Sequence, residues 1–173
     1  MVATAIIGGQ AVAAGRAGGA QRPSANASAA ARCQGRRLRI TLAVASPGVS
    51  HHGYVLRFQN KGSACTIGGY PGVDGLSAQG QRVLSARRTK SGYLGGVGPS
   101  HPIPRVPLAK GKTASAIVEW VDLGPPCPRV QSLKVTAPDS VVSVQLAPKS
   151  LESETLCDVE VHPVVPGRSG QEP

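Results

Sequence analysis

At 173 residues the chain has room for one domain with flexible ends. Aromatics are only 3% of it, and Gly (22) and Pro (15) together exceed a fifth, which excludes long helices and leaves Val, Leu, Ile and Ala to fill a core. The net charge of +10 is uneven: residues 1–118 carry fifteen Lys or Arg and one acid, Asp74, whereas residues 119–173 carry four against eight acids. Such a balance suits solubility first, and otherwise anionic partners such as an anionic cell-wall polymer or lipid headgroups. It does not point to nucleic acid, because the arginines form no single run and few aromatics are available for stacking.

Residues 2–14, VATAIIGGQAVAA, are small and apolar, and Ala11-Val12-Ala13 matches an A-x-A cleavage pattern. Residues 1–13 therefore read as a signal peptide or its remnant, although no basic segment precedes them. The run is too short and too rich in Gly and Ala for a transmembrane helix. Residues 14–32 have the composition of a disordered linker. Arg32 stands where a lipidated cysteine needs a small residue before it, so no stable membrane anchor is expected.

The first strand falls at 36–44, where Leu38, Ile40, Leu42 and Val44 alternate with polar or small residues. A polar loop, ASPGVSHHG, leads to a second strand at 54–59, with Tyr54, Leu56 and Phe58 on one parity. Pairing these strands antiparallel as i + j = 98 matches Ile40 with Phe58 and Leu42 with Leu56. The same sum sets Cys33 opposite Cys65, which favours a bridge between them. Strict alternation puts Cys33 on the other face from Leu38, and a bulge or turn near Gly35 corrects that. Residues 60–80 are turn-rich, with short apolar pieces at 66–67 and 73–76, and 82–86 is another short strand. Residues 87–107 form the longest irregular stretch. Strands follow at 113–122, with Ala114, Ala116, Val118 and Trp120 on one face, and at 130–136, 141–146 and 156–162. The last residues, PGRSGQEP, should fray. Seven to nine short strands without a helical period imply an all-β fold, an immunoglobulin-like sandwich with two disulfides.

The segment Asn60-Lys-Gly-Ser-Ala-Cys65-Thr-Ile-Gly-Gly-Tyr70-Pro71-Gly72-Val73 resembles the N-x-x-x-x-C-T-[LI]-x-G-Y-P-G-V signature of the DUF4232 domain. Leu56-Arg-Phe58, the L-x-x-G-x-T-A run at 108–114, Trp120, Cys127 and Cys157 agree with it. The resemblance covers about residues 33–163 and leaves 164–173 as a flexible tail. It implies an exported β domain with two disulfides, from a family found mainly in Actinobacteria, and it carries over no catalytic residue. With Cys33–Cys65 favoured, Cys127–Cys157 is the second bridge. On the chain-entropy view, each loop of about 30 residues adds about 3–4 kcal/mol. Structural disulfides place the chain outside the cytoplasm.

No side-chain constellation reads as catalytic. GKT at 111–113 lacks the glycine that a phosphate loop needs at position 106, which is Val. No G-x-S-x-G elbow is present. Of the histidines His51, His52, His101 and His162, the loop pair His51-His52 could offer two metal ligands but reads first as solvated, and the acidic cluster Glu152, Glu154, Asp158 and Glu160 reads as a charged face without calcium-loop spacing. No metal or cofactor is expected. Pro71-Gly72 suits the centre of a type II turn that reads first as structural, with Tyr70 packed beside the Cys33–Cys65 bridge, and otherwise as a recognition turn of Tyr70, Pro71 and Gly72. The functional expectation is a monomeric, non-catalytic exported domain of the cell envelope. It would bind an anionic polymer or another envelope protein, or act as a structural module. The alternatives are a secreted hydrolase, and a secreted inhibitor or partner-binding protein that uses loop 87–107.

Overall fold

The computed structural model describes residues 1, 31–121, 126–151 and 155–172. The expected signal and nearly all of the linker lie outside the described residues. Among the described residues twelve strands run in chain order: β1 Leu38–Val44, β2 His51–Asn60, β3 Cys65–Gly68, β4 Gly72–Leu76, β5 Arg82–Ser85, β6 Arg87–Arg88, β7 Arg105–Leu108, β8 Thr113–Val121, β9 Ser132–Thr136, β10 Ser143–Leu146, β11 Cys157–Val161 and β12 Val165–Pro166. The only helical elements among the described residues are two 3-10 turns, Gly35–Arg37 and Lys149–Leu151. The fold is therefore all-β. The count exceeds the expected seven to nine because two-residue strands such as β6 and β12 carry no alternation to read.

The main sheet has the order β1-β2-β8-β11-β6, with β12 also on β8; a second sheet runs β10-β9-β4-β5, and β3 pairs with β7. One hydrophobic core joins all three, because Ile40, Leu56, Phe58 and Val118 of the main sheet share a cluster with Val73, Leu133 and Val135 of the second and Ile67 and Leu108 of the third. Leu56 and Phe58 are fully buried. Removing one such aliphatic side chain from water contributes roughly 1.5–3 kcal/mol, so aliphatics carry this core despite the scarcity of aromatics.

The predicted β1–β2 register holds: Ile40 pairs with Phe58, Leu42 with Leu56 and Val44 with Tyr54. Both bridges form as expected, Cys33–Cys65 with Cα atoms 4.9 Å apart and Cys127–Cys157 with 5.2 Å. The parity conflict at Cys33 is resolved by the 3-10 turn Gly35–Arg37. The antiparallel ladder does not continue to the cysteines, however. It ends at Leu38 and Asn60, and Arg32 bridges Thr66 in parallel.

Three sequence expectations are corrected. His51 and His52 belong to β2 rather than to a loop. Val49 and Ser50 take positive φ, 45° and 63°, and paired Gly48–His51 hydrogen bonds close a two-residue turn ahead of the strand. Residues 87–107 are not irregular throughout. The ends of this stretch are β6 and β7, and its middle lies on the outer face of the main sheet, where Leu94 packs with Ala45, Val55 and Ile117. The C-terminal residues do not fray through 172. Gly170 N–H donates to Ser115 Oγ at 2.9 Å, Gln171 Nε2 to the Leu94 carbonyl at 3.1 Å, and Gly98 N–H to the Glu172 carboxylate at 3.1 Å.

Candidate functional site

Alternation along β8 divides its work. Ala114, Ala116, Val118 and Trp120 face the core, which sends Thr113, Ser115, Ile117 and Glu119 to the outer face, beneath loop 89–98 and the C-terminal segment. Glu119 is buried there, 3% exposed. Its Oε1 accepts the Tyr93 N–H at 2.9 Å and its Oε2 the Leu94 N–H at 2.7 Å, so one carboxylate pins the loop. A Cβ at Gly92 would overlap Oε1 and lie 2.6 Å from the His162 ring, so only glycine permits this approach.

Two histidines flank that carboxylate. His162, fully buried, has Nε2 3.3 Å from Oε2, and His51 has Nδ1 3.8 Å from Oε1. Both ring atoms are buried and neither is aligned for a hydrogen bond. The His51 ring stacks on Tyr93 with centroids 4.5 Å apart. Burial disfavours the charged form of Glu119. A His162 ring carrying a proton on its facing nitrogen, with the Leu94 and Tyr93 N–H groups, outweighs it, so the carboxyl then titrates below its ordinary 4.5.

On its far side His162 Nδ1 lies 3.2 Å from the Thr89 carbonyl and 3.1 Å from Thr89 Oγ1. The hydroxyl gives its proton to Glu160 Oε2 at 2.8 Å, and Arg87 also binds Glu160. Glu160 stands directly across from Glu119 in the β8–β11 register. Like charges so placed are destabilising, and Arg87 offsets that of Glu160.

The same sheet face carries a second feature. Arg39 pairs with Gln59 and Gln59 with Thr113; Thr41 pairs with Arg57. With Arg168 from the C-terminal segment these side chains line a groove of about 230 Å³. A larger groove, about 370 Å³, shares Arg57 and Arg168 and runs on to Tyr93 and Leu94. Arg57 Nε donates to the Arg168 carbonyl at 3.1 Å, which fixes the two chains together. Among the described residues, none of the three arginines has a carboxylate within ion-pair distance. The groove thus gathers positive charge with hydroxyl and amide groups beside it.

The sequence-predicted positions are dispersed. Tyr70 is half-buried and Pro71 buried; Gly72 opens β4, and the positive φ belongs to Gly69 (88°), so no type II turn is centred on Pro71-Gly72. Of the expected acidic face, Glu152 and Glu154 lie outside the described residues, Asp158 is exposed, and Glu160 belongs to the His162 centre. The histidines are not simply solvated either. His52 stacks on Trp120 at 6.2 Å, and His101 Nδ1 is 2.8 Å from the Glu172 carboxylate. Sequence reasoning missed Glu119 and the three-arginine set. Glu119 had a visible signal, a lone acid at outward parity in the otherwise uncharged TASAIVEWV.

No match was found among curated proteins or among solved structures. The DUF4232 family, described as a domain of unknown function, matches residues 33–165. That span contains the Cys33–Cys65 and Cys127–Cys157 bridges, the core and the His162 centre, and the chain belongs to the DUF4232 family.

Proposed function

We propose that the chain is an exported, non-catalytic binding domain of the cell envelope. It takes an anionic polymer along the groove of Arg39, Arg57 and Arg168. The observation that carries this reading is that Arg39, Arg57 and Arg168 line one groove and, among the described residues, have no carboxylate within ion-pair distance. Held together without an anion, the three charges repel one another; a phosphate or carboxylate chain relieves that and offers paired acceptors to the planar forks. Two structural disulfides support an oxidising compartment. No helix among the described residues is long and apolar enough to cross a membrane.

The test is binding of the purified domain to polyphosphate and to poly-glutamate, with an uncharged dextran as control. Retention by either polyanion, lost in a triple Arg39→Gln, Arg57→Gln, Arg168→Gln variant that still folds, supports the proposal. Equal retention by the variant overturns the assignment of the groove. Turnover of an esterase, peptidase or glycosidase substrate that a single substitution abolishes overturns the non-catalytic reading.

A further inference from the structure

The geometry points to a divalent-cation site of the zinc class at His162, Glu119 and Glu160, independent of the arginine groove. One ligand atom from each residue lies within 4.8 Å of the other two. The argument begins with the proton on His162. The Thr89 carbonyl only accepts, and the Thr89 hydroxyl has given its proton to Glu160, so Nδ1 carries the ring hydrogen. In neutral imidazole, Nε2 then presents a lone pair. That atom is fully buried, has no hydrogen bond, and lies 3.3 Å from a carboxylate oxygen. Two acceptors facing each other in a dry site need a positive charge between them.

A metal ion meets that need in a specific geometry. With both bonds about 2.1 Å long, a 3.3 Å separation subtends about 104° at the ion, close to the tetrahedral angle. The Nδ1–H contact with the Thr89 carbonyl is the outer-shell bond that metal-bound histidines generally make. Imidazole and carboxylates suit zinc among the borderline divalent ions. Neighbouring ligands on a tetrahedral ion are about 3.4 Å apart, so Glu160 closes by an ångström or so on binding. His51, partly exposed beside Glu119, marks the side open to solvent. The alternative occupant is a proton on Nε2, which makes His162 an imidazolium.

The experiment uses tag-free protein stripped with EDTA and titrated with Co²⁺ and Zn²⁺ at neutral pH. The site predicts one equivalent of Co²⁺ with visible bands of tetrahedral intensity, displaced by Zn²⁺. Glu160→Gln weakens binding at least tenfold, and Thr89→Val, an outer-shell change, weakens it about 10–100-fold. Because His162 variants risk misfolding, the wild type is also followed by nitrogen NMR of the imidazole. Zn²⁺ must shift the Nε2 resonance of His162. A folded wild type that binds no stoichiometric metal overturns the inference, as does an Nε2–H imidazolium signal unchanged by Zn²⁺. So does binding that neither variant weakens.

Discussion

Glu119→Ala tests whether one buried carboxylate holds loop 89–98 onto the sheet. The substitution removes the acceptor for two backbone N–H groups. The Leu94 N–H is buried and finds no replacement, so its loss counts in full. Tyr93 is 56% exposed, and water replaces much of that bond. A hydrogen bond to a charged group contributes about 1.5–3 kcal/mol, and partial loosening of Leu94 from Val55 and Ile117 adds to it. The expected cost is about 2–4 kcal/mol in chelator, or a fall of roughly 5–15 °C in Tm. Glu119→Gln keeps one acceptor oxygen and loses about half as much. Urea unfolding measures the total, and hydrogen exchange at Tyr93 and Leu94 localises it. A cost below about 0.5 kcal/mol with unchanged exchange at both amides refutes the pinning role.

Further outcomes follow from other contacts. Replacing Cys33 and Cys65 together by Ser should cost about 3–4 kcal/mol, read as a drop in the urea midpoint without reductant; an unchanged midpoint contradicts a structural bridge. Gly92→Ala should release Leu94 much as Glu119→Ala does, because the added methyl displaces the carboxylate; wild-type exchange at Leu94 would show that the close approach is not needed. His101 first, and then the Gly98 N–H, hold the Glu172 carboxyl below its ordinary 4.5. Its docking therefore contributes fully above pH 4.5 and is lost as pH falls through the lower folded value. Exchange at Gly98 should rise in that acid range relative to its rate in Glu172→Gln, and parallel behaviour of the two proteins refutes the contact.

Local pattern and long-range placement were not equally legible in the sequence. The β1–β2 pairing was readable because Leu38, Ile40 and Leu42 oppose Asn60, Phe58 and Leu56 on strict period two, and a one-residue slip would turn each apolar side chain outward. The Cys33–Cys65 bridge was readable for a partly different reason than the real one. The pair is right, but the turn at Gly35 and the parallel contact of Arg32 with Thr66 bring the cysteines together. The outer face was not readable. Its cover comes from loop 89–98 and residues 167–172, whose glycines and polar residues carry no period, and whose contacts run to Ser115, Ile117 and Glu119 far away in sequence. His162 and Glu160 share a site with Glu119 only because β11 docks beside β8. Arg39, Arg57 and Arg168 likewise become one groove only through sheet order.

The central claim, that the arginine groove binds an anionic polymer, is tested most directly by the salt dependence of polyphosphate affinity. Three released counterions predict a log–log slope of about −2, by analogy with single-stranded nucleic acid, or about a 16-fold loss between 50 and 200 mM salt. The triple Arg→Gln variant should bind at least tenfold more weakly at low salt with a slope near zero. Equal affinity and slope in wild type and variant would contradict the account.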